Sequence, residues 1–283
     1  LLNHFLYEMG RLILIYLLCA ALVNAEASAQ SGLETLPKGA RSMGMANAHV
    51  TVEDAWSIFN NIGALTGIEQ SQAFFAYDHR GNLSELTTLA AGAVFKSELF
   101  SYGLSVSTYG EEFFSQSQIG LGIAQKLGIA SIGVKANYFQ TSIEGFGTGR
   151  SAVLEFGGLA ELTPELFFGA HIYNLTGSRF GKNSIDQLPT VIKSGISYRP
   201  SENVMVNLEA EKDILLPPTL KVGLEYSLHQ KVWARAGINN QPNRLCFGIG
   251  FRAKSFHLDF AVNQNLYLGS TQHFSFNYLF SQK

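Results

Sequence analysis

From Gln70 to the end, the chain repeats one pattern: short segments in which apolar and polar positions alternate. The last segment is the clearest. In His273–Phe280, Phe274, Phe276, Tyr278 and Phe280 fall on one face, and His273, Ser275 and Asn277 on the other. Successive side chains of a strand point to opposite sides, so each such segment is a strand with one apolar and one polar face. Ile119, Leu121 and Ile123 alternate with Gly120, Gly122 and Ala124 in the same way, and Leu245, Phe247, Ile249 and Phe251 with Cys246, Gly248, Gly250 and Arg252. The pattern predicts strands over 70–79, 85–96, 99–108, 115–127, 130–142, 150–162, 165–175, 188–199, 202–212, 218–228, 231–239, 243–254, 256–265 and 272–281, fourteen in all.

The connections alternate as well. Tight turns are expected near Ser97-Glu98, Leu127-Gly128, Thr163-Pro164, Pro200-Ser201, His229-Gln230 and Lys254-Ser255. Mostly longer loops are expected at 80–84, 109–114, 143–149, 176–187, 213–217, 240–242 and 266–271. Short turns at one end and longer loops at the other describe an all-β, transmembrane, antiparallel up-and-down β-barrel. An even strand number returns both ends of the barrel to the same side. A row of aromatics beside the chain end fits a barrel whose last strand closes on its first and faces lipid.

The polar register supports the same reading. Lys135, Glu155, Lys193, Glu209, Glu211, Lys221, Glu225, Arg235 and Asp259 lie on it, with Gly, Ala and Ser between them. Charges of both signs among small residues suit a lumen, where they pair across the interior. A soluble β-sandwich would alternate too, but its solvent face would be richer in Thr and Lys.

Residues 1–29 read as a removable export signal. Arg11 precedes the apolar run Leu12–Val23, which is too short to span a bilayer, and Ala27-Ser28-Ala29 supplies the small-residue cleavage pattern. Met9, just ahead of Arg11, is the expected start, with a mature chain from near Gln30. Cys19 reads as an apolar residue of this signal. Without the signal only Cys246 remains, so no internal disulfide and no cysteine metal site is expected. Removing Arg11, Glu8 and Glu26 from 20 basic and 22 acidic residues leaves 19 against 20. That balance excludes a strongly basic nucleic-acid footprint.

Residues 30–68 differ in kind, and the barrel is assigned to 69–283. Gly39–Val50 is rich in small residues, and Ala55, Ile58, Phe59 and Ile62 fall at helical spacing behind Glu53 and Asp54. This predicts an amphipathic helix of about two turns, then a Gly-containing turn into the first strand. The run Gly39-Ala40-Arg41-Ser42-Met43-Gly44-Met45, an acidic pair, Trp56 and an Asn-rich turn resemble the N-terminal signature of outer-membrane PorV/PorQ proteins, whose fold FadL-type transporters share. The family's usual turn reads Asn-Pro-Ala-Gly; here it is Asn61-Ile62-Gly63-Ala64. The resemblance implies that this segment lies inside the barrel as a plug or hatch, with Met43, Met45, Trp56 and Phe59 as candidate ligand or hatch residues. It also implies the outer membrane of a Gram-negative bacterium and a non-enzymatic accessory role in type IX secretion, with secretion proteins or cargo as partners beside membrane lipid. The alternative it implies is FadL-like passive transport of hydrophobic small molecules.

Little else in the sequence carries chemistry. Gly145-Phe146-Gly147-Thr148-Gly149-Arg150 lacks the following helix that a phosphate loop needs, so an outer loop is expected. His257 and Asp259 share a lumenal face, and Ser275 on the neighbouring strand could complete a hydrolase triad, but an ordinary lumenal hydrogen-bond network is the stronger expectation. No His/Glu metal spacing occurs and no cofactor is expected. The longest expected loop, 176–187, carries Arg179, Phe180 and Lys182 as candidate partner contacts, and Ile214–Pro218 forms an apolar outer loop.

Overall fold

Fourteen antiparallel strands pair with their sequence neighbours, and β1 (Gln72–Arg80) pairs with β14 (Gly269–Leu279) to close the barrel. The computed structural model describes residues 36–81, 87–180, 188–265 and 269–280; the expected signal at 1–29, Lys182 and the tip of the 176–187 loop lie outside them. In order, the others are β2 (Thr87–Lys96), β3 (Phe100–Gly110), β4 (Phe114–Leu127), β5 (Ala130–Ile143), β6 (Gly147–Thr163) and β7 (Leu166–Tyr173). They are followed by β8 (Val191–Ser201), β9 (Val204–Asp213), β10 (Thr219–His229), β11 (Val232–Asn240), β12 (Asn243–Arg252) and β13 (Phe256–Asn265). No helix among the described residues is long and apolar enough to cross a membrane.

The two faces separate as the alternation requires. Outward positions such as Phe75, Leu121, Val134 and Phe247 are exposed. Inward Lys135, Glu155, Lys193, Glu209, Lys221, Glu225, Arg235 and Asp259 are buried. A surface apolar outside and charged inside is the reverse of a water-soluble fold and matches a barrel set in lipid. At the end where β1 begins, connections are short, and outward aromatics pair along the rim: Phe95 with Phe280, Phe251 with Phe256, and Phe256 with Phe276. We call this the turn end and the opposite one the loop end.

Two loop-end connections are shorter than the sequence suggests, because β4, β5 and β6 run on for 14, 14 and 17 residues. The expected glycine loop is therefore largely strand: Gly147–Arg150 belongs to β6, and only 144–146 turns, with Phe146 exposed at the tip.

The expected two-turn helix is also different. The N-terminal segment holds α1 (Ala40–Gly44), α2 (Ser57–Asn60) and a 3₁₀ turn over Ile62–Gly67. Asn61 breaks the helix. Its backbone is extended and its side chain accepts a bond from the Gly63 N–H, which starts the tighter turn. The segment lies inside the barrel, and Met45, Val50, Ile58, Ile62 and Leu65 are essentially inaccessible.

Candidate functional site

The lumen is occupied by residues 36–68, and the wall is shaped to receive them. Inward glycines meet directly across four strand pairs: Gly103 with Gly122, Gly133 with Gly157, Gly169 with Gly195, and Gly223 with Gly237. Each pair faces the plug. A methyl on Gly133 would come within 2.7 Å of the Ile62 carbonyl oxygen, and one on Gly237 within 2.4 Å of the Met45 carbonyl carbon. The plug backbone therefore lies directly on the sheet at these points, where any side chain would displace it.

Hydrogen bonds fix what the glycines admit. The Ala40 N–H donates to Ser275 Oγ at 3.2 Å, and Trp56 Nε1 donates to Asn277 Oδ1 at 3.1 Å. The polar face of the last strand is thus a docking face. Glu209 Oε2 accepts from the N–H groups of both His49 and Val50 at 2.8 Å, while its other oxygen accepts from Lys221 at 3.0 Å. Asn207 donates to Ala48 O, and Ser131 donates to Gly63 O. Asn61 donates to Val50 O within the plug and to Gly158 O on the wall. Buried polar groups are costly unless paired, and here plug and wall complete each other.

The charged register continues the network. Arg41 donates to both Glu225 oxygens and to Asp54, and Arg235 binds Glu225 and Asp259. Although burial disfavours the charged form of Arg41, Glu225 and Asp54 outweigh it and raise the guanidinium pKa further. Burial likewise pushes the Asp54 carboxyl up, but His49, Arg41 and the Trp56 N–H outweigh it and hold it below the carboxylate range. Across the lumen Lys135 and His171 share Glu155, and nearer the loop end, along β10 from Glu225, Lys221 shares Glu211 with Lys193. Lys38 of the plug sits beside this group. Its own burial, then Lys193, lower its pKa well below the ordinary lysine value.

The two ends of the lumen differ. At the loop end, Phe139, Val153, Tyr173, Leu188 and Val191 form an apolar cluster against which Leu36 and Phe180 pack. At the turn end a cavity of about 630 Å³ opens between the plug and β7–β12, lined by Arg41, Glu53, Phe167, Arg199, Trp233 and Arg252 among others.

Of the sequence-predicted residues, Met45, Trp56 and Phe59 are buried in the plug, while Met43 is half-buried. Trp56 and Phe59 pack on Phe74 of the wall, at centroid distances of 4.7 and 6.2 Å. Phe180, expected on an exposed loop, instead turns inward onto Phe139 at 5.9 Å; Arg179 is exposed. An aromatic ring is better buried against an aromatic neighbour than left in water. The hydrolase constellation is not assembled: Ser275 lies across from Asp259 and accepts from Ala40, Asp259 is held by Arg235, and His257 faces Asn277. Among the described residues no cluster of His, Cys, Asp or Glu is set to hold a metal. Sequence reasoning missed the anchors Ser131, Asn207, Ser275 and Asn277; their one signal is a polar side chain on the inward register.

No protein-family model and no curated protein matches the sequence. Solved structures are similar. The toluene transporter TbuX of Ralstonia pickettii superposes with a TM-score of 0.71 at 11% identity, over 88% of this chain and 100% of that one. The toluene transporter TodX of Pseudomonas putida gives 0.66 at 11% identity, over 89% and 98%. A Pseudomonas aeruginosa FadL homologue gives 0.61 at 13% identity, over 91% and 100%. The chain therefore has the fold of the FadL-type barrels: fourteen antiparallel strands, closed, with short helices near the N-terminus.

Proposed function

We propose that the protein is an outer-membrane barrel of a Gram-negative bacterium that binds hydrophobic small molecules and passes them inward. The observation that carries this reading is the loop-end cluster. An otherwise charged lumen presents Phe139, Val153, Tyr173, Leu188 and Val191 together where an outside molecule would enter. Leu36 and Phe180 cover this cluster, and their displacement would open the apolar lining that a hydrophobic ligand requires. Two of the structurally similar proteins are described as toluene transporters, which agrees with it. The test is toluene binding and uptake by the barrel in lipid nanodiscs and vesicles. Phe139→Ser is expected to weaken binding about tenfold, from the loss of one buried ring. Unchanged binding by this variant would sink the reading.

A second reading, a non-enzymatic accessory of type IX secretion that binds a partner or cargo, draws support from the plug. Ion pairs and buried hydrogen bonds fix it to the wall, so axial passage requires the Glu225 and Glu209 contacts to release. Native mass spectrometry after gentle extraction separates the two. A stoichiometric large protein partner favours secretion, and a lone barrel carrying lipophilic molecules favours uptake.

A further inference from the structure

We infer that the turn-end cavity is a binding site for a compact organic monoanion with an apolar body, anchored by Arg252. It lies on the opposite side of the plug from the loop-end cluster and does not rest on the uptake reading. Three observations meet there.

The first is the state of the cations lining the cavity. Arg41 is fully engaged by Glu225 and Asp54. Arg199 donates to Glu53, Thr51 O and Ser197, and stacks on Phe167 at 3.8 Å. Arg252 differs. Its nearest carboxylate oxygen, on Glu225, is 4.0 Å away, and that carboxylate already takes short bonds from Arg41 and Arg235. Its guanidinium carries five N–H donors in a planar fork that matches a carboxylate. Among the described residues its side chain has no hydrogen bond, so this fork faces the cavity with its capacity unused.

The second observation is that Arg252 is already positioned. It stacks over Trp233 at 4.3 Å, which limits the freedom a ligand would otherwise have to remove. The third is the rest of the lining. Val52, Phe167, Val204, Met205 and Trp233 supply apolar surface next to the cation, and about 630 Å³ is in the range of small-ligand pockets. Glu69, Glu165 and Glu202 are exposed at the rim. Their charge disfavours a polyanion more than a monoanion, whose one charge Arg252 can meet.

The probe is 3-phenylpropanoate, titrated by calorimetry into the full chain in nanodiscs, with 3-phenylpropanol as its neutral counterpart and citrate as the polyanion. The acid is expected to bind at least about tenfold more tightly than the alcohol, since a charge-assisted bond is at stake. Citrate is expected not to bind, and saturating toluene not to displace the acid. Arg252→Gln should lose about tenfold in affinity for the acid, and Trp233→Leu should weaken acid and alcohol alike; heat-modifiable gel migration verifies that each variant is folded. Equal affinity for acid and alcohol, an unaffected Arg252→Gln, displacement by toluene, or no binding of the acid at millimolar concentration would each overturn the assignment.

Discussion

Arg41 of the plug grips Glu225 of the wall through two hydrogen bonds, 2.9 Å from Nε and 2.6 Å from Nη2. Both side chains are largely buried, at 14% and 8% exposure. The pair joins a five-residue helix, too short to be stable alone, to a strand of the barrel. Removing one partner strands the other in a low-dielectric lumen. Arg41→Gln is expected to destabilise the docked plug by about 3 kcal/mol, the low end for a broken buried pair because Glu225 keeps Arg235. Limited proteolysis in detergent should find cleavage within residues 39–65 while the barrel stays intact. Equal resistance in variant and parent would show that the pair does not hold the plug.

The glycine wall predicts a ranking. At Gly237 the obstacle to a methyl is plug backbone, the Met45 carbonyl carbon at 2.4 Å. At Gly103 it is the tip of a flexible side chain, Ile58 Cδ1 at 2.3 Å. Gly237→Ala should therefore cost about 1–3 kcal/mol, and Gly103→Ala less, since a side chain yields where backbone does not. Urea unfolding followed by Trp56 fluorescence measures both; the reverse order would refute the close-packing argument.

Asn61 makes a third test. One side chain satisfies Val50 O, Gly158 O and the Gly63 N–H. Asn61→Ala leaves all three buried without it and should destabilise the plug by about 2 kcal/mol or more. Asn61→Asp keeps the acceptor but loses both donors, so it should fall short of rescue. Hydrogen exchange at Gly63 and Val52 reports the loss, and full rescue by Asp would contradict the donor assignment.

Lys38 gives a pH dependence with a definite sign. Its pKa in the lumen is depressed by burial and then by Lys193 and Lys221, against the opposing pull of Glu211 and Glu209. When the plug is undocked the amine returns to its ordinary value of 10.5. Between those two values the undocked state binds more protons, so docking strengthens as pH rises through that window. Below the depressed value the slope vanishes. Asp54 acts with the same sign in a lower window: its contribution is full above the ordinary carboxylate range and is lost in acid, as pH falls through its depressed value. Lys38→Met is expected to stabilise the plug at neutral pH and to remove the slope on the alkaline side. An unfolding midpoint with the same alkaline slope in Lys38→Met would exclude this origin.

Much of the architecture was legible from alternation alone. Period-two patterning assigns each strand an inside and an outside, and in the barrel His273, Ser275 and Asn277 are buried inward while Tyr278 is exposed outward. Boundaries erred where strands run past their apolar stretch, as at Gly147–Arg150, because beyond the apolar band nothing in a side chain distinguishes strand from loop.

The plug's interior form was less legible. Helical spacing at Ala55, Ile58, Phe59 and Ile62 predicts one helix, but Asn61 splits it into a single α turn and a 3₁₀ turn. The contacts it makes with Val50 and Gly158 offset the lost helix bonds. Sequence places Phe180 beyond a strand, and only the fold brings Phe139 beneath it.

The sequence by itself determined the number of strands, the side each residue faces, and that the first segment is of another kind; these are properties of neighbours along the chain. The tertiary structure decided which inward residues meet. Gly223 lies beside Gly237, and Glu225 beside Arg235, through the register of a closed sheet, and Glu209 reaches His49 across 160 positions. That register is fixed jointly by all fourteen strands and by the plug they enclose. No single segment carries it, because a strand's alternation is unchanged when it slides by two residues.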